Sequence, residues 1–396
     1  MSAGARRRCT GSAGGNPVDL AARPAYRLGV NSWLRDEQAP ILGRWGFDQG
    51  WAEVFEPYAR RGFRAARVVG VDRGAIDLVA ATGEVRATLG GAALQSIATD
   101  PLTSPCSGDW AAVRSWPDGQ VTVEAVLARR TAVVRASASG ESRGHVLAAN
   151  VDTVLITVAL DCEPNAARVE RLVTLAWQGG ATPVLVLTKA DLATDAEFIA
   201  EDLGAAAPGV EVYVVSSVTG QGLDRLRVLA APGRTLALIG QSGVGKSTLV
   251  NQMSGRASVR VADIGARGKG RHTTVRRELI ALPGGAMLLD TPGLRGVGVI
   301  DIGEGSDGLT NTFPEIEALS HACRFADCSH DTEPGCAVLA AADEGSLPLR
   351  RLESWRKLGK EARWIAMRGD ARARAVQRRK WASNARSLRK QGIVRP

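Results

Sequence analysis

Eight residues constrain this chain of 396 more than any others: Gly240-Gln241-Ser242-Gly243-Val244-Gly245-Lys246-Ser247. They follow an apolar run of strand length (235–240) and open a segment of helical periodicity. Glycines at these positions let successive backbone N–H groups turn inward on a phosphate, and the helix start adds partial positive charge. Lys246 suits the β- and γ-phosphates and the Ser247 hydroxyl a magnesium ion, with Thr248 in the same first helical turn. The chain has 43 arginines and only 7 lysines, so a lysine in the required slot is not a by-product of composition.

Residues 151–290 alternate strand and helix signals. Apolar runs at 154–160, 183–188, 211–217 and 235–240 are separated by amphipathic stretches, the clearest at 166–178 behind a capping Asn165. Two further runs flank Pro283-Gly284-Gly285 as a hairpin. This pattern predicts an α/β sheet with helices on both faces and ligands at the carboxyl ends of its strands. Those ends carry the chemistry. Asp290-Thr291-Pro292-Gly293 closes one strand: its carboxylate suits the magnesium shell and the Gly293 N–H a γ-phosphate. Thr188-Lys189-Ala190-Asp191 closes another: an Asp191 carboxylate can accept two hydrogen bonds from guanine, which adenine cannot supply, while the Lys189 stem lies over the base. Ser216-Ser217 offers a backbone N–H for the guanine carbonyl.

Before this lies an all-β signature. Short alternating runs between 63 and 127, divided by Asp-Arg-Gly and Ala-Thr-Gly turns, predict five antiparallel strands and a small barrel of OB or SH3-like type. Residues 1–40 are rich in Ala, Gly and Arg, with the first twenty expected to be disordered. After the α/β part, Cys323, Cys328, His330 and Cys336 supply three thiolates and an imidazole within 14 residues, a closed tetrahedral zinc set and so a structural one. His321 competes as a ligand but fits the spacing less well.

The net charge is +9, and residues 350–396 alone hold 16 Lys or Arg against 3 acids, or +13, leaving −4 for the remainder. Such a segment suits phosphate contacts on nucleic acid, and Trp355, Trp364 and Trp381 stand among its cations, either to stack on bases or to pack the segment on its own domain. No apolar run approaches the ~20 residues of a membrane span, and the basic N-terminus lacks the apolar core of a secretory signal. A cytoplasmic protein with no membrane partner is expected.

The order of the loops is diagnostic. GTPases ordinarily run from phosphate loop to base loop, whereas here the base loops (188–191, 216–217) precede the phosphate loop and Asp290 comes last. With SGDW (107–110), ANVD (149–152), VSSVTGQGL (215–223), GKGRHTT (268–274), LLDTPGL (288–294) and the Cys/His run in this order, the chain from about 60 to 350 resembles the bacterial ribosome small-subunit-dependent GTPase A family. The resemblance implies an α/β, circularly permuted P-loop GTPase domain at 145–312, an OB-fold β-barrel at 59–144, and a small zinc-binding α-helical domain with a basic tail at 313–396, behind an N-terminal extension at 1–58. It implies a GTP hydrolase, cofactors GTP or GDP with Mg²⁺ and one structural Zn²⁺, and a role in late maturation of the small ribosomal subunit through its rRNA. A monomer without DNA partners is expected.

Within 268–274, Thr273 or Thr274 can close on magnesium, and the resemblance favours Thr273. Leu294 stands where many GTPases carry a water-orienting glutamine. Slow intrinsic turnover is therefore expected, with water placed by His272 or by the ribosome and Lys246 supporting the phosphates. The contrasting readings are an RNA-binding chaperone module whose GTP pocket only regulates binding, and an ATP-using phosphotransferase.

Overall fold

The computed structural model describes residues 39–72, 74–135, 144–255, 278–290 and 308–369. The expectations for residues 1–38, for His272, Thr273, Thr274, Gly293 and Leu294, for the side chain of Trp364 and for the tail beyond 369 lie outside them.

Helices α1 (Ala39–Arg44) and α2 (Gln49–Ala59) come first. Asp48 starts the second by accepting the Trp51 N–H at 2.8 Å, a cap that contributes about 1 kcal/mol. Their apolar side, Leu42, Phe47, Trp51 and Phe55, is buried against Phe63 and Trp110. Phe47 and Trp110 meet edge to face, 4.7 Å between centroids. Sequence reading placed these residues in an extension. Short helices with a few large aromatics leave a weak periodic signal, yet each such ring buries much surface.

Strands β1 (Arg64–Asp72), β2 (Ala75–Ala80) and β3 (Gly83–Leu89), helix α3 (Gly91–Thr99), and strands β4 (Trp110–Ser115) and β5 (Val121–Val126) follow. The sheet runs β1-β2-β3-β5-β4 and returns from β4 to β1, which closes a five-stranded barrel. Alternate residues, including Val68, Leu78, Ala111 and Val123, fill its interior. Helix α3 leaves no amphipathic pattern to read, since only Ala93 of it is buried.

SGDW and ANVD interlock the barrel with what comes next. Gly108 has φ +95°, and a Cβ there would stand 2.1 Å from the Ala149 carbonyl oxygen. Asn150, itself at φ +54°, donates through Nδ2 to the Gly108 carbonyl at 3.1 Å and accepts the Arg130 N–H at 2.9 Å. Asp109, fully buried, accepts the Cys106 N–H and pairs with Arg129 at 2.7 Å. A two-stranded sheet, β6 (Ala132–Arg135) with β7 (His145–Ala149), leads out of the barrel.

Next come β8 (Thr153–Ala159), α4 (Ala166–Gln178), β9 (Thr182–Thr188), α5 (Ala196–Ala205), β10 (Glu211–Val214), α6 (Leu223–Val228), β11 (Thr235–Gly240), α7 (Lys246–Ser254), β12 (Glu278–Ala281) and β13 (Met287–Asp290). Their sheet order is β10-β9-β8-β11-β13-β12, parallel except for β12. One rung, Gly70 opposite Glu278, joins β12 to the barrel's β1. Leu172, Val173 and Leu203 pack on Ile156 and Leu185 on one face, and Leu226, Leu249 and Val250 on Leu155, Val186 and Leu238 on the other. Strands buried on both faces explain the continuous apolar runs.

Four helices end the described chain: α8 (Gly308–Thr312), α9 (Pro314–Ser320), α10 (Ala337–Asp343) and α11 (Leu349–Gly369). Phe313, Ile316, Val338, Leu352 and Leu358 form their core. They are held to α4 by buried charge. Glu170, with no exposed surface, accepts from Arg350 at 2.8 Å and from Arg351 at 3.0 Å. Arg351 also pairs with Glu315, donates to the Ala206 and Thr312 carbonyls, and lies over the Phe313 ring. Arg171 pairs with Glu361 at 2.7 Å.

Candidate nucleotide site and metal centre

The loops singled out from sequence gather at the carboxyl ends of β8, β9, β10, β11 and β13. Gly240 ends β11 where no side chain fits: a Cβ would lie 2.2 Å from Thr157 Oγ1 and 2.6 Å from the Thr157 carbonyl oxygen. Gly243 and Gly245 adopt φ of +84° and +94°, which glycine takes without strain. Val244 is buried, while Gln241, Ser242 and Gly243 are exposed on the rim. Helix α7 begins at Lys246, whose Nζ donates to the Gly240 carbonyl at 3.1 Å and the Gln241 carbonyl at 2.6 Å. Ser247 and Thr248 are half-buried in the same turn.

Burial lowers the Lys246 ammonium from its usual value, with nearby Asp290 opposing and Arg168 reinforcing the shift. Burial likewise raises the Asp290 carboxyl, with Lys246 opposing. Two partly desolvated charges of opposite sign thus face one cradle. The donor set of a serine hydroxyl and a carboxylate at the end of β13 is the hard oxygen type that magnesium takes.

The base loop is tied to the phosphate loop. Thr188, buried, donates its hydroxyl to the Val244 carbonyl at 2.6 Å. Lys189 takes a left-handed conformation, φ +61°, and its Nζ meets Asp161 at 2.5 Å. Asp191 is exposed, and its Oδ1 accepts the hydroxyl of Ser216 at 2.5 Å. That hydroxyl also accepts the N–H groups of Val218 and Thr219. Sequence reading gave Ser216-Ser217 a backbone role. The Ser216 N–H donates to the Gln221 carbonyl at 3.0 Å, and the contact of this residue with Asp191 is made by its side chain. The Ser217 carbonyl accepts from Gln252 at 3.0 Å.

Three contributors escaped sequence reading: Thr157 beneath Gly240, Asp161 on Lys189, and Arg168 against Gln241. Asp161 stands just past β8, and that position at a strand's carboxyl end was the available signal. Arg168 gave none, since an arginine on an amphipathic helix reads as a solvated face.

In the C-terminal unit, Cys323, Cys328, His330 and Cys336 bring their ligand atoms within 4.8 Å of one another. Cys323 and Cys336 Sγ lie 3.8 Å apart, and His330 Nδ1 lies 3.6 and 3.4 Å from them. A tetrahedron with Zn–S near 2.3 Å needs sulfur atoms about 3.8 Å apart, so the residues fit zinc. Cys336 caps α10, His330 sits at φ +54° with its carbonyl held by Arg356, and Trp355 packs on the imidazole at 5.3 Å. The Ser329 hydroxyl, with the Asp331 and neighbouring N–H groups, holds the Glu333 carboxyl far below its usual range and ties the loop. His321 is exposed, faces Glu317, and stands apart from the cluster. No helix among the described residues is long and apolar enough to cross a membrane.

A family model described as RsgA GTPase matches residues 126–300. A relative from Streptomyces coelicolor, called small ribosomal subunit biogenesis GTPase RsgA, is 50% identical over 345 residues, covering 86% of this chain and 92% of its own. One of the same name from Opitutus terrae is 40% identical over 350 residues, 86% and 95% of the two chains. Among solved structures, YjeQ from Thermotoga maritima matches with a TM-score of 0.55 at 24% identity, over 75% of this chain and 97% of that one. YloQ, described as a circularly permuted GTPase, matches with a TM-score of 0.52 at 21% identity, over 76% and 95%.

Proposed function

Because the chain belongs to the RsgA GTPase family, we propose that it hydrolyses GTP to GDP and phosphate and acts in biogenesis of the small ribosomal subunit. The observation that carries the reading is the Thr188–Val244 bond, which locks the base loop to the phosphate loop across the permuted chain order. Around it, Asp191 would recognise guanine, held in place by Ser216, and Ser217 would supply the backbone N–H. Lys189, fixed by Asp161, would lie over the base. Gly240 to Gly245 would wrap the phosphates, and Lys246 would move from its carbonyl seats to the β- and γ-phosphates. Thr248 would flank them. Ser247 and Asp290 would hold magnesium, which neutralises charge building on the transferred phosphoryl group. Thr273, Gly293 and the water-placing His272 would complete the site from segments outside the described residues.

The zinc set would be structural. Small-subunit rRNA, approached through the barrel and the basic C-terminal segment, would be the partner of a cytoplasmic monomer. Hydrolysis of GTP and of ATP, each with and without purified small subunits, tests the reading. Slow GTP turnover that rises with subunits is expected. Equal use of ATP would overturn the base assignment. Nucleotide-gated subunit binding without stimulated turnover would favour a regulated RNA chaperone.

A further inference from the structure

Helix α4 borders two cavities. One, of about 120 Å³ beside the phosphate loop, is lined by Cys162, Asn165, Arg168, Gln241 and Val244 among others. The second, of about 290 Å³ between α4 and α11, is lined by Asn165, Arg168, Arg171, Ser354, Lys357 and Leu358. Arg168 belongs to both. With the Gln241 amide oxygen turned toward it, Arg168 donates through Nε at 3.2 Å and through Nη1 to the same oxygen. The carbonyl of that same Gln241 seats the Lys246 ammonium. One side chain therefore separates the α4–α11 cleft from the lysine that meets the phosphates.

The cleft is cationic. Arg171 is answered by Glu361. Lys357 is exposed at the mouth and makes no ion pair among the described residues. Helix α11 itself makes up the first part of the 350–396 segment that carries +13. Guanidinium and ammonium groups of Arg168, Arg171 and Lys357, beside the carbon faces of Leu172 and Leu358, suit the tetrahedral oxygens of a phosphate and the carbon skeleton of the sugar it links. The charge excess of that segment favours a polyanion.

We propose that the α4–α11 cleft binds the phosphodiester backbone of an RNA strand and that its occupancy acts on the nucleotide site through Arg168. Arg168 has two partners to choose between. On the Gln241 side-chain amide it pins the residue whose backbone carbonyl seats Lys246; on an RNA phosphate it releases that residue, so the carbonyl can turn away and the lysine is freed for GTP. By reciprocity, RNA and GTP then change each other's affinity by one common factor. The inference rests on the GTPase reading above and adds an effector site to it.

The test measures affinity of the full chain for a fluorescent GTP analogue, with and without an unstructured RNA oligonucleotide, at fixed ionic strength. RNA is expected to tighten nucleotide binding about fivefold or more. Lys357→Glu should keep the RNA-free affinity and lose most of the RNA effect. Arg168→Ala should lose the effect, and Arg168→Lys, which keeps the charge but not the fork, should recover part of it. An RNA response in Lys357→Glu equal to wild type would overturn the proposal, as would wild-type nucleotide affinity indifferent to RNA. An equal response to polyglutamate would assign the cleft to acidic peptides and also overturn it. Wild-type protein that binds no guanine nucleotide would instead sink the underlying GTPase reading.

Discussion

The buried pair between α4 and α11 makes an unequal and measurable demand on its two sides. Glu170 is wholly buried, and its partners are Arg351, also buried, and Arg350, half-exposed. Arg351→Met strands a buried carboxylate with only the exposed Arg350 to answer it, and breaking such a pair from one side costs about 3–5 kcal/mol. Glu170→Met is milder, because Arg351 keeps Glu315 and two carbonyls; losing one charged hydrogen bond costs about 1.5–3 kcal/mol. The double variant restores neutrality in an apolar setting. It should be more stable than Arg351→Met alone, with a coupling energy of about 1–3 kcal/mol. Urea titration with zinc held constant, followed by circular dichroism and by protease resistance of the C-terminal unit, reads all four proteins. Additive losses, with the double variant the weakest, would refute the argument that electrostatics rather than packing governs this junction.

Two further outcomes follow from the sites. Burial holds the Asp290 carboxyl above its unfolded value, so its proton stabilises the fold; that contribution is present below the unfolded value and lost as pH rises through the folded one. Asp290→Asn should therefore melt higher than wild type at neutral pH without nucleotide, converge with it on acidification, and bind magnesium–GTP poorly; a lower melting point at neutral pH would contradict this. Metal analysis should find about one zinc per chain, and chelation or Cys336→Ser should open the segment from 323 onward to protease. A zinc-free protein as protease-resistant as the metal-bound one would exclude a structural metal.

Much of this was legible because the signals are local. Asn165 does cap α4, accepting the Arg168 N–H, and Pro283-Gly284-Gly285 does turn β12 into β13. The Cys/His spacing and the glycines of the phosphate loop specify chemistry within a few residues. What stayed hidden joins distant side chains. Nothing in the sequence ties Asp161 to Lys189, or Arg168 to Gln241, because the first pair meets only when the ends of β8 and β9 lie side by side and the second only when α4 packs beside the end of β11. Helices α1 and α2 were hidden for another reason: their burial depends on Trp110, which stands beyond three strands of intervening chain. Thr188, read as a base-site residue, is engaged with the phosphate loop, a role visible only from the fold.

The shuffled strand order also bears on how the protein is made. Translation delivers β8, β9 and β10 before β11, which then adds along the edge of β8, with β13 following on its other side. Until it arrives, the nascent half-sheet shows a bare apolar margin along β8, and no nucleotide can brace it because the cradle does not yet exist. The barrel emerges earlier and is already in place to clasp the chain through Asn150 and Gly108. It thereby serves as a built-in companion for an unfinished neighbour.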